Sequence, residues 1–350
     1  MKVSIIEAGS NVARSLVSMI LAQRLMASGD VLQLVEEHEL MSFYVLEALR
    51  SDLLDSVGVG SEHLELAFGP ENVDGDVVVF TSGLECIPGV GEGEIGASCK
   101  FNLDMVLKYA RSLKARGKEP LFIVACDPVG GAVELLSRYF PRQKVVGIGA
   151  LLDTLRFRKE ISLALGIPRS HVHAMVIGEH GPCMIPLWSS VKILGMTKED
   201  TREAINMLRK GWRVTSSCLL DAWDGVVEKV SGRDPAEVSR VLNELPLCVK
   251  LFMRPWLAHC LGVDTFFGPA GAVFKILSAL LRGDPFFGSL QTRVEGEFYG
   301  VKGTVFGVPL VLTIDGVLRV VEVPLWEEER SVLDMASRSI KGRLKELLPE

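Results

Sequence analysis

Two rhythms of apolar residues alternate along the first half of this chain. Short apolar runs at 2–6, 31–35, 76–80, 120–125 and 145–148 have the length and composition of strands buried on both faces, with a weaker strand at 65–67. Between them, apolar residues recur at helical spacing over 11–26, 39–57 and 102–115, as in Val12, Leu16, Met19 and Ile20, or Leu103, Val106, Leu107 and Ala110. Strand and helix in strict alternation predict a parallel sheet with helices on both sides. The second half differs. An apolar run at 172–177 stops at Gly178, a helix follows over 197–214, and 293–297, 304–306, 310–313 and 317–323 form strands joined by glycine turns. Asp315-Gly316 is a hairpin signal, and a helix over 327–347 closes the chain. The predicted fold class is α/β: a doubly wound Rossmann-type parallel sheet over 1–149, then a mixed α+β domain over 150–350 with a helical insertion around 221–264.

Composition narrows the function classes. A chain of 350 residues, 48% hydrophobic and with no low-complexity tract, has enough apolar surface for two cores. The formal charge is −6, and no dense basic tract offers the electrostatic footprint of a nucleic-acid binder. The apolar runs are too short or too charged to span a membrane, and the N-terminus enters a strand without a secretion signal. Seven cysteines without paired spacing predict reduced thiols in a cytoplasmic protein, with neither a zinc pattern nor a disulfide framework.

The candidate chemistry gathers where strand 172–177 ends. His180 follows Gly178 and precedes Gly181, at a strand-to-loop edge; about 24 residues upstream of it, GIGALLDTLRFRKE carries Asp153 and Arg156. A carboxylate to orient the imidazole and a guanidinium to grip an anion by parallel hydrogen bonds would make one site. The plainer account is a surface histidine and an ordinary helix ion pair. GEHGPCMIPLWSSV and LLDTLRFR resemble the active-site signature and companion helix of the lactate/malate dehydrogenase family, and MKVSIIEAG, GDVVVFTSG, FIVACDPVG and EFYGVKGTVFGVPL extend the similarity nearly end to end. The resemblance implies a C-terminal domain of that family's kind. It also implies His180 as proton acceptor and donor, Asp153 as its orienting carboxylate, Arg156 as the clamp on a substrate carboxylate, NAD as cofactor, a small 2-hydroxy or 2-oxo acid as substrate, and a homodimer or homotetramer.

The cofactor half is less regular. Strand, turn, helix, strand and acid follow in the order of a dinucleotide-binding unit, with the pyrophosphate expected at the helix N-terminus. The turn is EAGSNVA: Glu7 stands at the first glycine position of the fingerprint and Gly9 is the one glycine clearly in place. Glu36, at the end of the second strand, is the expected acceptor for the ribose hydroxyls, favouring NAD over NADP. Thr81 and Gly83 are expected to line the groove. Asp127 stands where the family has asparagine, near the nicotinamide ribose, or else caps the following helix. The loop LECIPGVGEGEIGASCKFN has no arginine where the family carries one, placing Glu92 or Ile95 there, Cys86 at the specificity position and Lys100 as a substitute cation. Arg254 or His259 of the insertion are alternative cations, and Ala272 replaces a substrate-facing threonine. Two readings follow: an NAD-dependent 2-hydroxyacid oxidoreductase, or a divergent relative with weak or lost activity that serves as a binding or assembly protein.

Overall fold

The computed structural model describes residues 1–57, 63–81, 92–181, 183–209, 235–245, 247, 249–251, 254 and 265–348. Its frame is a single sheet. β1 (Lys2–Ile6), β2 (Val31–Glu36), β3 (Leu64–Phe68), β4 (Val77–Phe80), β5 (Leu121–Val124) and β6 (Val145–Gly147) run parallel in the spatial order β3-β2-β1-β4-β5-β6. Val3, Ile5 and Ile6 of β1, and all of Val77–Phe80, are fully buried because helices cover both faces, which is why these strands lack polar alternation. The order reverses between β1 and β4, so a crevice opens at their carboxyl ends, the usual ligand position in an open α/β sheet.

α1 (Asn11–Ala22), α2 (Leu40–Val57), α3 (Glu92–Ala115) and α4 (Val129–Tyr139) make the crossovers. α1 stops short of the expected 26 because Arg24 adopts a left-handed backbone, φ 49°. α3 begins at Glu92, so the segment expected to be loop up to Asn102 is already helical. The arginine-free stretch at 82–91, with Gly83 and Cys86, lies outside the described residues.

The chain leaves the parallel half through α5 (Gly149–Leu165), then enters β7 (Val172–Gly178) and β8 (Met184–Ile193), an antiparallel hairpin. α6 (Lys198–Arg209), α7 (Pro235–Glu244) and α8 (Phe267–Leu281) lead to β9 (Phe286–Phe298), β10 (Val301–Thr313) and β11 (Gly316–Val320). β9 pairs with the edge of β6 at Gln291 and Gly147, and β10 reaches β7 at Gly307 and Gly178, so one sheet continues through both halves. The expected short strands at 293–297, 304–306 and 310–313 are parts of two thirteen-residue strands. Gly307 to Pro309, between the expected strands 304–306 and 310–313, keep the ladder with β9, and the register shifts only near Lys302, a bulge that bends the ladder without ending it. β11 begins at Gly316, and its hairpin turns through Ile314 and Asp315. The closing helix is split at Val332 into α9 (Glu327–Ser331) and α10 (Leu333–Leu347). Ala272 is fully buried in the apolar core between α8 and the sheet.

No helix among the described residues is long and apolar enough to cross a membrane. Cys126 and Cys183 are free and buried, but Cys99 on α3 is disulfide-bonded, contrary to the expectation of thiols throughout. Spacing along a chain does not report which sulfurs the fold brings within bonding reach.

Candidate active site

α5 starts at the carboxyl edge of β6, so its first two turns face the end of the crevice. Asp153 and Arg156 are three residues apart and therefore share one helix face. β7 runs alongside, and Gly178, with φ 92°, turns the chain there in a conformation that favours glycine. That turn brings His180 onto α5. Its Nδ1–H donates to Asp153 Oδ2 at 2.8 Å, while Arg156 Nη1 donates to Asp153 Oδ1 at 3.3 Å. The buried carboxylate thus joins the imidazole to the guanidinium, and a carboxylate on Nδ1 leaves Nε2 as the open ring nitrogen. The close approach depends on Gly149: a methyl group there would collide with the His180 side chain and with the amide oxygen of Gln291. Burial pushes the His180 imidazole toward its neutral form. The charge and hydrogen bond of Asp153 act the other way, Arg156 lowers and Asp127 raises, and the net result lies above the ordinary histidine value.

Three further residues belong to this corner. Glu179, next to His180, is gripped by Arg343 of α10 through both carboxylate oxygens, and Arg343 Nη2 also lies 3.2 Å from Cys183 Sγ. The loop carrying the imidazole is therefore tied to the C-terminal helix. Glu179 is adjacent to a recognisable histidine, but no local pattern pairs it with a residue 164 positions away. Gln291 is buried with its Oε1 lacking a hydrogen-bond partner, in a mixed run (SLQTR) that carried no motif to mark it.

At the switch point, Gly9 N–H donates to Glu36 Oε1 at 2.7 Å. Ser10 caps α1 by accepting from Ala13 N–H, and its hydroxyl donates to the Thr81 carbonyl at 2.8 Å. Thr81 is fully buried and donates to the Ile6 carbonyl. Gly9, Glu36 and Thr81 are thus brought together, with Ser10 as the member that sequence reasoning missed. Asp127 lies at the end of β5, close enough to act on His180. It is not the N-cap of α4 as expected; that position is Pro128, with no side-chain bond, the Asp127–Pro128 peptide is cis, and the Asp127 carbonyl accepts from Asn102.

Two of the candidate substitute cations lie among the described residues. Lys100 is exposed on α3. Arg254 is held 3.7 Å from Glu160 on α5 and bonds Asn243. Glu92 and Ile95 are helical, with side chains outside the described residues, as is His259. Among the described residues no cluster of His, Cys, Asp or Glu could hold a metal ion.

A dinucleotide requires amides at a helix N-terminus, a hydroxyl acceptor at the end of the second strand, and a turn that lets phosphate approach. The start of α1 and Glu36 meet the first two requirements. Glu7 meets the third only when uncharged: its carboxyl, half-buried beside Glu36 and Glu37, is pushed up to about 7 by burial first and by those two charges next, while Lys108 opposes them.

Comparison with known proteins matches this layout. A family described as lactate/malate dehydrogenase, alpha/beta C-terminal domain, matches residues 150–211 and 263–349. Malate dehydrogenase of Staphylococcus carnosus is 26% identical, the alignment covering 98% of this chain and 98% of that protein. L-2-hydroxycarboxylate dehydrogenase (NAD(P)(+)) of Methanocaldococcus jannaschii is 25% identical, with 99% of each chain covered. The solved lactate dehydrogenase of Cryptosporidium parvum, complexed with lactic acid and nicotinamide adenine dinucleotide, shares the fold with a TM-score of 0.75 at 20% identity, covering 99% of this chain and 97% of that one.

Proposed function

We propose, for a chain that belongs to the lactate/malate dehydrogenase family as a divergent member, that it is an NAD-dependent oxidoreductase interconverting a 2-hydroxy acid and a 2-oxo acid. The observation that carries this reading is the Asp153 carboxylate holding His180 at 2.8 Å and Arg156 at 3.3 Å. His180 Nε2 takes the hydroxyl proton of the 2-hydroxy acid and returns it in the reverse direction. Asp153 holds the tautomer and stabilises the imidazolium that forms. Arg156 pairs with the substrate's C1 carboxylate. A bound nicotinamide would supply the acceptor or donor for the C2 hydride. Glu36 accepts from the adenosine ribose and disfavours a phosphate there, which supports NAD over NADP.

A second reading, a relative with weak or lost activity that serves as a binding or assembly protein, is favoured by the carboxylates of Glu7 and Glu36 around the Gly9 turn. Titration with NAD and NADP, combined with reduction assays on oxaloacetate, pyruvate and longer 2-oxo acids, separates the two. Turnover of any 2-oxo acid with either cofactor supports an oxidoreductase. Dinucleotide binding without turnover, or no binding at all, supports the second reading.

A further inference from the structure

We propose that Glu7 makes dinucleotide binding at the β1–α1 turn proton-linked: ionised, its carboxylate excludes the pyrophosphate, and protonated, it admits and hydrogen-bonds it. This rests on the dinucleotide reading above. Glu7 occupies the turn in a left-handed backbone, φ 58°, and its carbonyl is held by Ser10 N–H at 2.9 Å and by the Thr81 hydroxyl at 3.3 Å. The residue is therefore fixed at the switch point, where the anion of a bound dinucleotide belongs.

The surroundings of its carboxyl are poor in positive charge. Glu36 and Glu37 act on it from the end of β2, and from α3 come Lys108 and Tyr109. Cys126, after β5, is coupled to both Glu7 and Asp127. Lys108 is already paired with Glu37. Arg14 of α1 acts on Glu36 and spends its Nε on the Gly9 carbonyl at 2.8 Å. Tyr109 is fully buried with its hydroxyl unpartnered, and burial pushes it and the Cys126 thiol up, so neither supplies charge near neutral pH. A second anion set among these groups raises proton affinity at Glu7 further. The protonated carboxyl also gains an O–H donor, which a glycine at this position lacks and a phosphate oxygen can accept.

Calorimetric titration of the full-length protein with NADH between pH 6 and 8, in two buffers of different ionisation enthalpy, tests the link. The dissociation constant is expected to rise about tenfold across that range, with about one proton taken up per dinucleotide at the alkaline end. Glu7→Gln is expected to bind at pH 8 about as tightly as the unaltered protein at pH 6, without proton uptake. Glu7→Gly, whose backbone suits the turn, serves as a second variant with the same loss of pH dependence. Adenosine, which lacks the pyrophosphate, is expected to bind with a flat profile. A flat NADH profile in the unaltered protein overturns the proposal and leaves the dinucleotide reading standing. A Glu7→Gln protein that keeps the slope, or an adenosine profile as steep as that of NADH, overturns it equally. Binding by neither the protein nor its variants at any pH overturns both.

Discussion

The two ends of the crevice treat charge in opposite ways. At the α5 end, Asp153 has a basic group on each oxygen, and Arg343 grips Glu179 beside His180, so both of these acids sit against a base. At the β1 end, Glu7, Glu36 and Glu37 share one corner with Lys108, which is bound to Glu37. The α5 end sets a guanidinium beside the imidazole, whereas at the β1 end three carboxylates face Lys108 and Arg14, each of which already bonds a neighbour. A sheet and its crossovers are held by buried apolar surface, which is indifferent to a carboxylate at a turn. Charge complementarity at a crevice is set separately, one side chain at a time.

The comparison can be broken most sharply at its intact end. His180→Asn is expected to lower kcat for 2-oxo acid reduction on the order of 10²–10⁴-fold with little change in dinucleotide affinity, since a positioned acid–base group contributes about that much. A loss under fivefold in steady-state assays would remove the imidazole from the chemistry. Arg156→Lys keeps the charge but loses the planar fork; kcat/KM is expected to fall roughly 10–100-fold, mostly through KM, at the cost of about two charge-assisted hydrogen bonds. Because Asp153 holds His180 above its ordinary value, reduction, which needs the imidazolium, should persist to higher pH than for a free histidine. Asp153→Asn is expected to move the alkaline limb of the reduction profile to lower pH, and an unmoved limb would contradict the assignment.

The altered end is probed through stability. Glu7 is held at about 7 in the fold against 4.5 as a free carboxyl, so the folded state binds the extra proton. Its favourable contribution is complete below pH 4.5 and is lost as pH rises through 7. Glu7→Gly is therefore expected to stabilise the protein at pH 8 by about 2 kcal/mol, after allowance for the carboxyl's partial exposure and with relief of the left-handed backbone included. Thermal melts at pH 5 and pH 8 should show the gain mainly at pH 8; an equal gain at both would assign it to the backbone alone. The smallest effect is expected from Arg343→Ala, about 1 kcal/mol from the lost charged hydrogen bonds, with a fall in kcat from a looser His180 loop. Arg343→Lys should recover part of the stability, and an unchanged kcat in the alanine variant would leave the tie purely structural.

Much of the architecture was legible in the chain because buried parallel strands announce themselves as unbroken apolar runs. β1, β2, β4 and β5 lie within a residue or two of their expected bounds. The long strands β9 and β10 were underestimated because a glycine paired in mid-strand, as Gly307 is, has the same local signature as a glycine in a turn. His180, Asp153 and Arg156 were singled out through a resemblance; Asp153 and Arg156 lie on α5, and His180 lies just past β7, in the loop that brings it to Asp153. Asp127 was misjudged as a cap, since capping depends on the backbone path into α4 and not on residue type alone.

The order of hydrophobic and polar residues by itself determined the alternation of strands and helices, the doubly wound sheet and the turn at which Glu7 stands. Those features follow from periodicity, which is a property of neighbours in sequence. Only the tertiary structure decided that Asp153 divides its oxygens between His180 and Arg156, that Arg343 reaches back to Glu179, and that Glu7 shares its corner with Glu36 and Glu37. Coulomb and hydrogen-bond energies depend on distance in space, and residues 27 or 164 positions apart acquire that distance only when the sheet is assembled.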